Sequence, residues 1–192
     1  YGGFNATESL RNQRNVVANV TTLSGDLNSD DNLASFNDNS YHVVTFGTGL
    51  GAVLDGFTIL GGNANGVAIG DQRGGGVLAQ AGNPILAKCR VIQNFAQNSG
   101  GGIYADASDL RTVNTLFLLN ASPLNGGAVA ASGGTPSFMN CIFNNNLSYG
   151  GDGAAFHGTG SAVTVINSTF YNNQSAASIT GGIRIVGGSM NV

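Results

Sequence analysis

Charge is scarce in this 192-residue chain: Asp, Glu, Lys and Arg together make up 9% of it, against about 25% in an ordinary soluble domain. Seven basic side chains against ten acidic ones leave a net charge of −3. That supply cannot neutralise a run of phosphates, which excludes electrostatic nucleic-acid binding and docking on an anionic membrane surface. Long apolar runs are missing too. No segment approaches the ~20 residues a helix needs to cross a bilayer, so no membrane insertion is expected. No basic-then-apolar leader precedes Tyr1, and a first residue other than Met suggests a processed chain or an excised piece. Cysteine and histidine are limited to two each, with no Cys/His pair at ligand spacing, which argues against zinc.

Glycine, by contrast, reaches 31 residues, and asparagine is abundant. Such a composition borders on disorder. The 42% of hydrophobic residues, with Val, Ile, Leu and Phe in every segment, nevertheless supplies more apolar area than disordered chains carry. The length suits one all-β domain.

The chain repeats itself. From Gly74 it reads GGGVLAQAGNPILAKCRVIQNFAQNS, from Gly100 GGGIYADASDLRTVNTLFLLNASPLN, and from Gly126 GGAVAASGGTPSFMNCIFNNNLSYG. A looser copy starts at Gly151 and part of another at Gly181, so the period is 25 to 30 residues. Aligned copies give columns of consistent chemistry: Cys89, Thr115, Cys141, Ser168; two residues on, Val91, Phe117, Phe143, Phe170; two residues back, Ala87, Val113, Met139, Ile166. Spacing by two places all three columns on one inward side of a strand. Three residues after the Phe column stand Asn94, Asn120, Asn146 and Asn173, a ladder in which each side-chain amide bonds to its equivalent in the next coil. Paired glycines such as Gly75-Gly76 and Gly101-Gly102 mark a bend where close coil-to-coil approach or positive φ excludes a Cβ. A helix fails, since Gly costs ~1 kcal/mol per helical position and the apolar period is two, not 3.6.

The expected fold is therefore all-β: a right-handed parallel β-helix of six or seven coils over residues 1–192, a rod of about 30 Å at ~4.8 Å per coil. Residues 52–192 hold the regular coils, with Val53 to Leu60 as one strand, and 1–51 hold irregular coils around a polar loop at 24–40. Cys89 and Cys141 share a column two coils apart, so their Cα atoms stand ~9 to 10 Å apart, beyond the ~7 Å a disulfide allows. Both are expected to be buried free thiols.

Tyr1-Gly2-Gly3-Phe4-Asn5-Ala6-Thr7-Glu8, Leu23-Ser24-Gly25-Asp26 and Asn39-Ser40-Tyr41-His42-Val43-Val44 resemble secreted bacterial right-handed β-helix repeat proteins of the pectin-lyase-like superfamily. Cys141-Ile142-Phe143-Asn144-Asn145-Asn146 is similar to the repeats of polymorphic outer-membrane proteins. The resemblance covers nearly the whole chain and implies a right-handed coil and an extracellular or cell-surface location. It leaves function open, since that superfamily holds lyases, glycosidases, adhesins and structural proteins.

A lyase on this fold would need clustered carboxylates with an Arg or Lys base. The acidic residues of the repeats are spread over separate coils; Asp106, Asp109 and Arg111 share one turn segment and Asp152 and His157 another, and both groups read as solvated loops. No catalytic residue is assigned. Asp26, Asn28, Asp30, Asp31 and Asn32 alternate oxygen side chains like the first half of a calcium loop, without its glycine or closing Glu. Calcium at Asp26, Asn28 and Asp30 is the one cofactor the sequence suggests, an Asx-rich turn being the plainer reading. Of six glycosylation sequons, Asn5 is the most plausible exposed acceptor, because three others lie in the Asn ladder. Tyr104, Phe156 and Tyr171 are expected near outward positions, where they would stack on sugars.

The leading expectation is a non-enzymatic structural or adhesive protein that associates end to end with itself or with flanking β-helix coils through Ile183, Ile185 and Val186. The alternative is a carbohydrate-active enzyme or carbohydrate-binding module, with surface glycans as partners.

Overall fold

The computed structural model describes residues 1–31, 36–49, 51–176 and 180–192. Strands are short and follow one another with little else between. In chain order they are β1 (Thr21–Ser24), β2 (Val44–Phe46), β3 (Val53–Asp55), β4 (Phe57–Leu60) and β5 (Asn63–Ala64). The regular coils follow with β6 (Val77–Gln80), β7 (Ile85–Ala87), β8 (Arg90–Ile92), β9 (Phe95–Ala96), β10 (Ile103–Asp106), β11 (Arg111–Val113), β12 (Leu116–Leu118) and β13 (Ala121–Ser122). Next come β14 (Val129–Ser132), β15 (Ser137–Met139), β16 (Ile142–Asn144), β17 (Leu147–Ser148), β18 (Phe156–Thr159), β19 (Ala162–Ile166), β20 (Thr169–Tyr171) and β21 (Gln174–Ser175), and the last coil adds β22 (Ile183–Val186) and β23 (Ser189–Asn191).

Equivalent strands of successive coils pair in parallel and build four sheets. The first is β2-β6-β10-β14-β18-β22, the second β3-β7-β11-β15-β19-β23, the third β1-β4-β8-β12-β16-β20 and the fourth β5-β9-β13-β17-β21. The chain is thus an all-β parallel solenoid. Among the described residues five coils contain all four strands, with partial coils at either end, fewer than the six or seven expected.

Side chains pointing into the coil make one continuous core. In the third sheet Ile59, Val91, Phe117, Phe143 and Phe170 lie in register. The Phe117 and Phe143 rings stack at 4.5 Å and 9°, and Phe143 and Phe170 at 4.6 Å and 8°. Phe138, from the second sheet, meets Phe143 edge-on at 5.3 Å and Phe156 at 5.2 Å. No single coil encloses its own inner face; each ring is covered by the coils on either side.

The bends between strands correct the sequence reading twice. Lys88, Asn114, Asn140 and Asn167 have φ of 51°, 51°, 53° and 47°, and Gly56 turns the equivalent corner at 85°. The stretches read as one strand are therefore two, and Val53 to Leu60 breaks into β3 and β4. The inward residues of the second sheet are Leu86, Thr112, Phe138 and Val165, all buried, while the Ala87, Val113, Met139, Ile166 column is only half-buried or exposed. At the glycine bend, a Cβ on Gly101 would lie 2.6 Å from the Gly127 carbonyl oxygen and 2.7 Å from the Ala121 carbonyl carbon. Only hydrogen fits there.

Candidate functional site

The first turn of chain is stitched to the stack by its backbone. Gly25 N–H donates to Leu60 O (2.8 Å), Ser40 N–H to Gly25 O (2.9 Å) and Asn63 N–H to Ser40 O (2.9 Å). These bonds anchor both stems of the polar loop 26–39 beside the bend between the third and fourth sheets. On the opposite flank, Arg14 is nearly enclosed. Its Nη2 meets Asp55 Oδ1 at 2.6 Å, with side-chain exposures of 6% and 13%, and Nη1 donates to Gly2 O and Asp55 O.

Within the loop, one carboxylate oxygen each from Asp26, Asp30 and Asp31 lie within 4.8 Å of one another. Like charges at that spacing repel by roughly 1 kcal/mol in water and about 3 kcal/mol near a protein surface. Burial pushes the Asp31 carboxyl up from its ordinary value, the Asn39 amide pulls it down, and Asp26, Asp38 and Asp30 push it up further. Asn28, read from the sequence as a ligand, is exposed, and its N–H donates to Asp38 Oδ2 at 3.2 Å. Asp31 joins Asp26 and Asp30 in the carboxylate group, and Asn32 lies outside the described residues. Sequence reading missed Asn39, which is 5% exposed. Its Nδ2 donates to both Asp31 carboxylate oxygens (3.1 and 3.2 Å) and to Gly61 O (2.6 Å). Next to it, Phe36, Asn39, Gly61, Asn63, Phe95 and Leu119 help line a hollow of about 520 Å³ on the outside of the fourth sheet.

The asparagine column runs along the same bend, through Asn94, Asn120, Asn146 and Asn173. Asn120 Oδ1 accepts from the backbone N–H and the Nδ2 of Asn94 (3.1 Å each). Its Nδ2 donates to Val91 O (2.8 Å) and to Asn146 Oδ1 (3.0 Å). Asn146 repeats the pattern with Phe117 O and Asn173 Oδ1. Every donor and acceptor of these two amides is used, so the sequons at Asn120 and Asn146 sit in buried side chains. Asn5 is exposed, its Oδ1 accepting from Thr7 N–H at 3.1 Å.

The end of the stack is built differently from its middle. β20 and β21 of the fifth full coil, and β22 and β23 of the partial coil after it, each close one sheet and so have a paired neighbour on one side only. Ile183, Ile185 and Phe170 pack against the core but are only partly buried, and Val186 is 42% exposed.

Of the remaining sequence candidates, Asp152 and His157 lie together with Arg184, whose Nε stands 3.9 Å from Asp152 Oδ2 and which pairs with His157 between β18 and β22. Asp109 Oδ1 accepts from Thr135 N–H (2.9 Å) and Oγ1 (2.7 Å), which ties one coil to the next, and Asp106 stands exposed at the end of β10. Two of the three aromatics placed outward are not exposed. Phe156 is fully buried in the core, and Tyr104 packs with Leu78 and Ala130 under the Arg73 guanidinium, 4.8 Å from its ring. Tyr171 is exposed, its hydroxyl accepting from Asn144 Nδ2 at 2.6 Å. Among the described residues no helix is long and apolar enough to cross a membrane. The chain matches no protein-family model, no curated protein and no solved structure.

Proposed function

We propose that this chain is a non-enzymatic structural or adhesive β-solenoid of the extracellular or cell-surface space, working by stacking the strands at the end of its stack onto further coils, those of a second copy or flanking β-helix coils. One observation carries the reading: β20, β21, β22 and β23, one after another at the end of the stack, all offer an unpaired edge, with Phe170, Ile183 and Ile185 half-covered behind it. A strand edge with free N–H and C=O groups over an apolar layer is a template for another strand. With charge this sparse, little repulsion opposes the approach of two copies. The resemblance of the repeats to exported right-handed β-helix proteins supports the location, and such a scaffold would use no cofactor other than calcium in the loop 26–39.

Electron microscopy of the purified chain at rising concentration tests the stacking. Fibres that lengthen with concentration, and vanish on Ile185→Lys, are expected; single rods of about 30 Å at every concentration would overturn it.

The second reading is glycan binding along the side of the rod, supported by the hollow beside Phe36 and Phe95 and by exposed Tyr171. Retention on a polysaccharide panel, lost on Tyr171→Ala or Phe95→Ala, is its test.

A further inference from the structure

The loop 26–39 holds more negative charge than anything around it neutralises. Four carboxylates, Asp26, Asp30, Asp31 and Asp38, fall within 13 residues, and no Lys or Arg occurs anywhere from residue 15 to residue 72. The flanking cations are engaged elsewhere, Arg14 with Asp55 and Arg73 over the Tyr104 ring. Among the described residues no ion pair reaches the loop.

A second observation is independent of charge. Asp30 Oδ1 and Asn39 Oδ1 are buried, and neither has a hydrogen-bond donor. Buried acceptors left without a donor are few in folded proteins. Asn39 is turned into the cluster, because the same carboxamide donates to both Asp31 oxygens while its own oxygen is unmatched. An acceptor that no N–H reaches, beside three crowded carboxylates, is one that a cation would match.

The donors are all oxygen, which suits a hard ion. Calcium takes 6–8 oxygens at about 2.3–2.6 Å in flexible geometry. Two ligands of one calcium are therefore at most about 5 Å apart, and the 4.8 Å limit among the Asp26, Asp30 and Asp31 oxygens meets that condition. Magnesium requires stricter octahedral geometry and dehydrates reluctantly, so a loop of mixed carboxylates and one amide favours calcium.

We propose that Asp26, Asp30, Asp31 and the carboxamide oxygen of Asn39 form a calcium site that fastens the first turn of chain to the solenoid. The site rests on the calcium part of the function given above and not on the stacking of copies. Asn39 is its mechanical link: its Nδ2 bonds Gly61 O at 2.6 Å, and the next residue, Ser40, exchanges backbone bonds with Gly25 and Asn63. An ion that fixes Asp31 and Asn39 fixes the bend from Gly61 to Asn63, against which the fourth sheet begins.

Calcium titration of the chelator-treated full chain, by calorimetry and by thermal unfolding, tests this. One calcium per chain is expected, with a rise of several degrees in Tm at 1 mM calcium and a much smaller rise at 1 mM magnesium. Asp30→Asn should weaken calcium binding at least tenfold while raising the Tm of the calcium-free protein, because it relieves repulsion. Asp109→Asn, far from the loop, should leave the calcium response unchanged. No binding heat, an equal response to magnesium, or an unchanged calcium response in Asp30→Asn would each overturn the site. Fibre formation is scored separately, so loss of stacking and loss of calcium binding are distinguishable.

Discussion

Asn120 illustrates how much a single amide does inside a parallel stack. Both lone pairs of Oδ1 and both hydrogens of Nδ2 are engaged with three different parts of the chain. Asn120→Asp would keep the acceptor and remove both donors, taking the side-chain hydrogen bond from Val91 O and setting a carboxylate against Asn146 Oδ1. Each buried polar group left unmatched costs ~1–3 kcal/mol, so a loss of about 3 kcal/mol or more is expected in chemical denaturation. Phe143→Ala opens a cavity between two stacked rings and should cost about 3–5 kcal/mol. Both columns were legible in the sequence, because a residue that faces its own copy in the next coil must recur at the coil period. The cover on Tyr104 was not legible, since Arg73 reaches it from a loop outside the repeat alignment. Nor was Asn39, whose partner Gly61 is 22 residues away. Titrating groups also behave according to their burial. Burial lowers the His157 pKa from its ordinary 6.5, with Asp152 opposing and Arg184 assisting. The fold therefore binds a proton less readily than the unfolded chain, and stability falls as pH drops through 6.5 and levels off below the folded value. His157→Gln should flatten that slope in urea titrations at about pH 5 to 7. Burial pushes both thiols up, so maleimide labelling of Cys89 and Cys141 should await unfolding.

At the level of the strand and its bend, the chain spends four corners per coil on positive φ or on missing Cβ atoms. Gly101→Ala would drive a methyl into the backbone of β13 and of the coil beyond it; neither can retreat without breaking parallel pairing, and a loss of at least ~2 kcal/mol is expected. Corners held by ordinary residues behave in the opposite sense. Leu119 sits at φ 56°, where the equivalent residues are Gln93, Asn145 and Asn172, and a left-handed conformation costs roughly 1 kcal/mol for most side chains but less for Asn. Leu119→Asn is therefore expected to stabilise by about 0.5–1 kcal/mol, measured as a raised denaturation midpoint at constant m-value. These corners explain why period-two counting overran its strands. Lys88, Gln93 and Leu119 carry no turn signature, so the sequence pattern continues where the backbone turns. Glycine corners were legible because a missing Cβ is visible in the sequence itself.

For the whole molecule, stability is a sum of coils and of contacts between neighbouring coils. Amide protons in β10 to β17, covered by coils on both sides, should exchange slowest, and those in β22 and β23 fastest, as read by hydrogen exchange. The fold class was legible because periodicity is a property of the entire chain; the number of coils was less so, since irregular segments before residue 52 contribute strands without repeating. The same register has a consequence for how such a chain changes over generations. In the ladder each asparagine meets its counterpart 26 or 27 residues away. Excising residues 100–125 would join Ser99 to Gly126 and bring Val91 onto Phe143 and Asn94 onto Asn146, meeting the same kinds of neighbour as before. Duplicating that stretch would do the reverse. Length is thus the trait this architecture can vary by copying or losing whole units of its gene, with every seam already compatible.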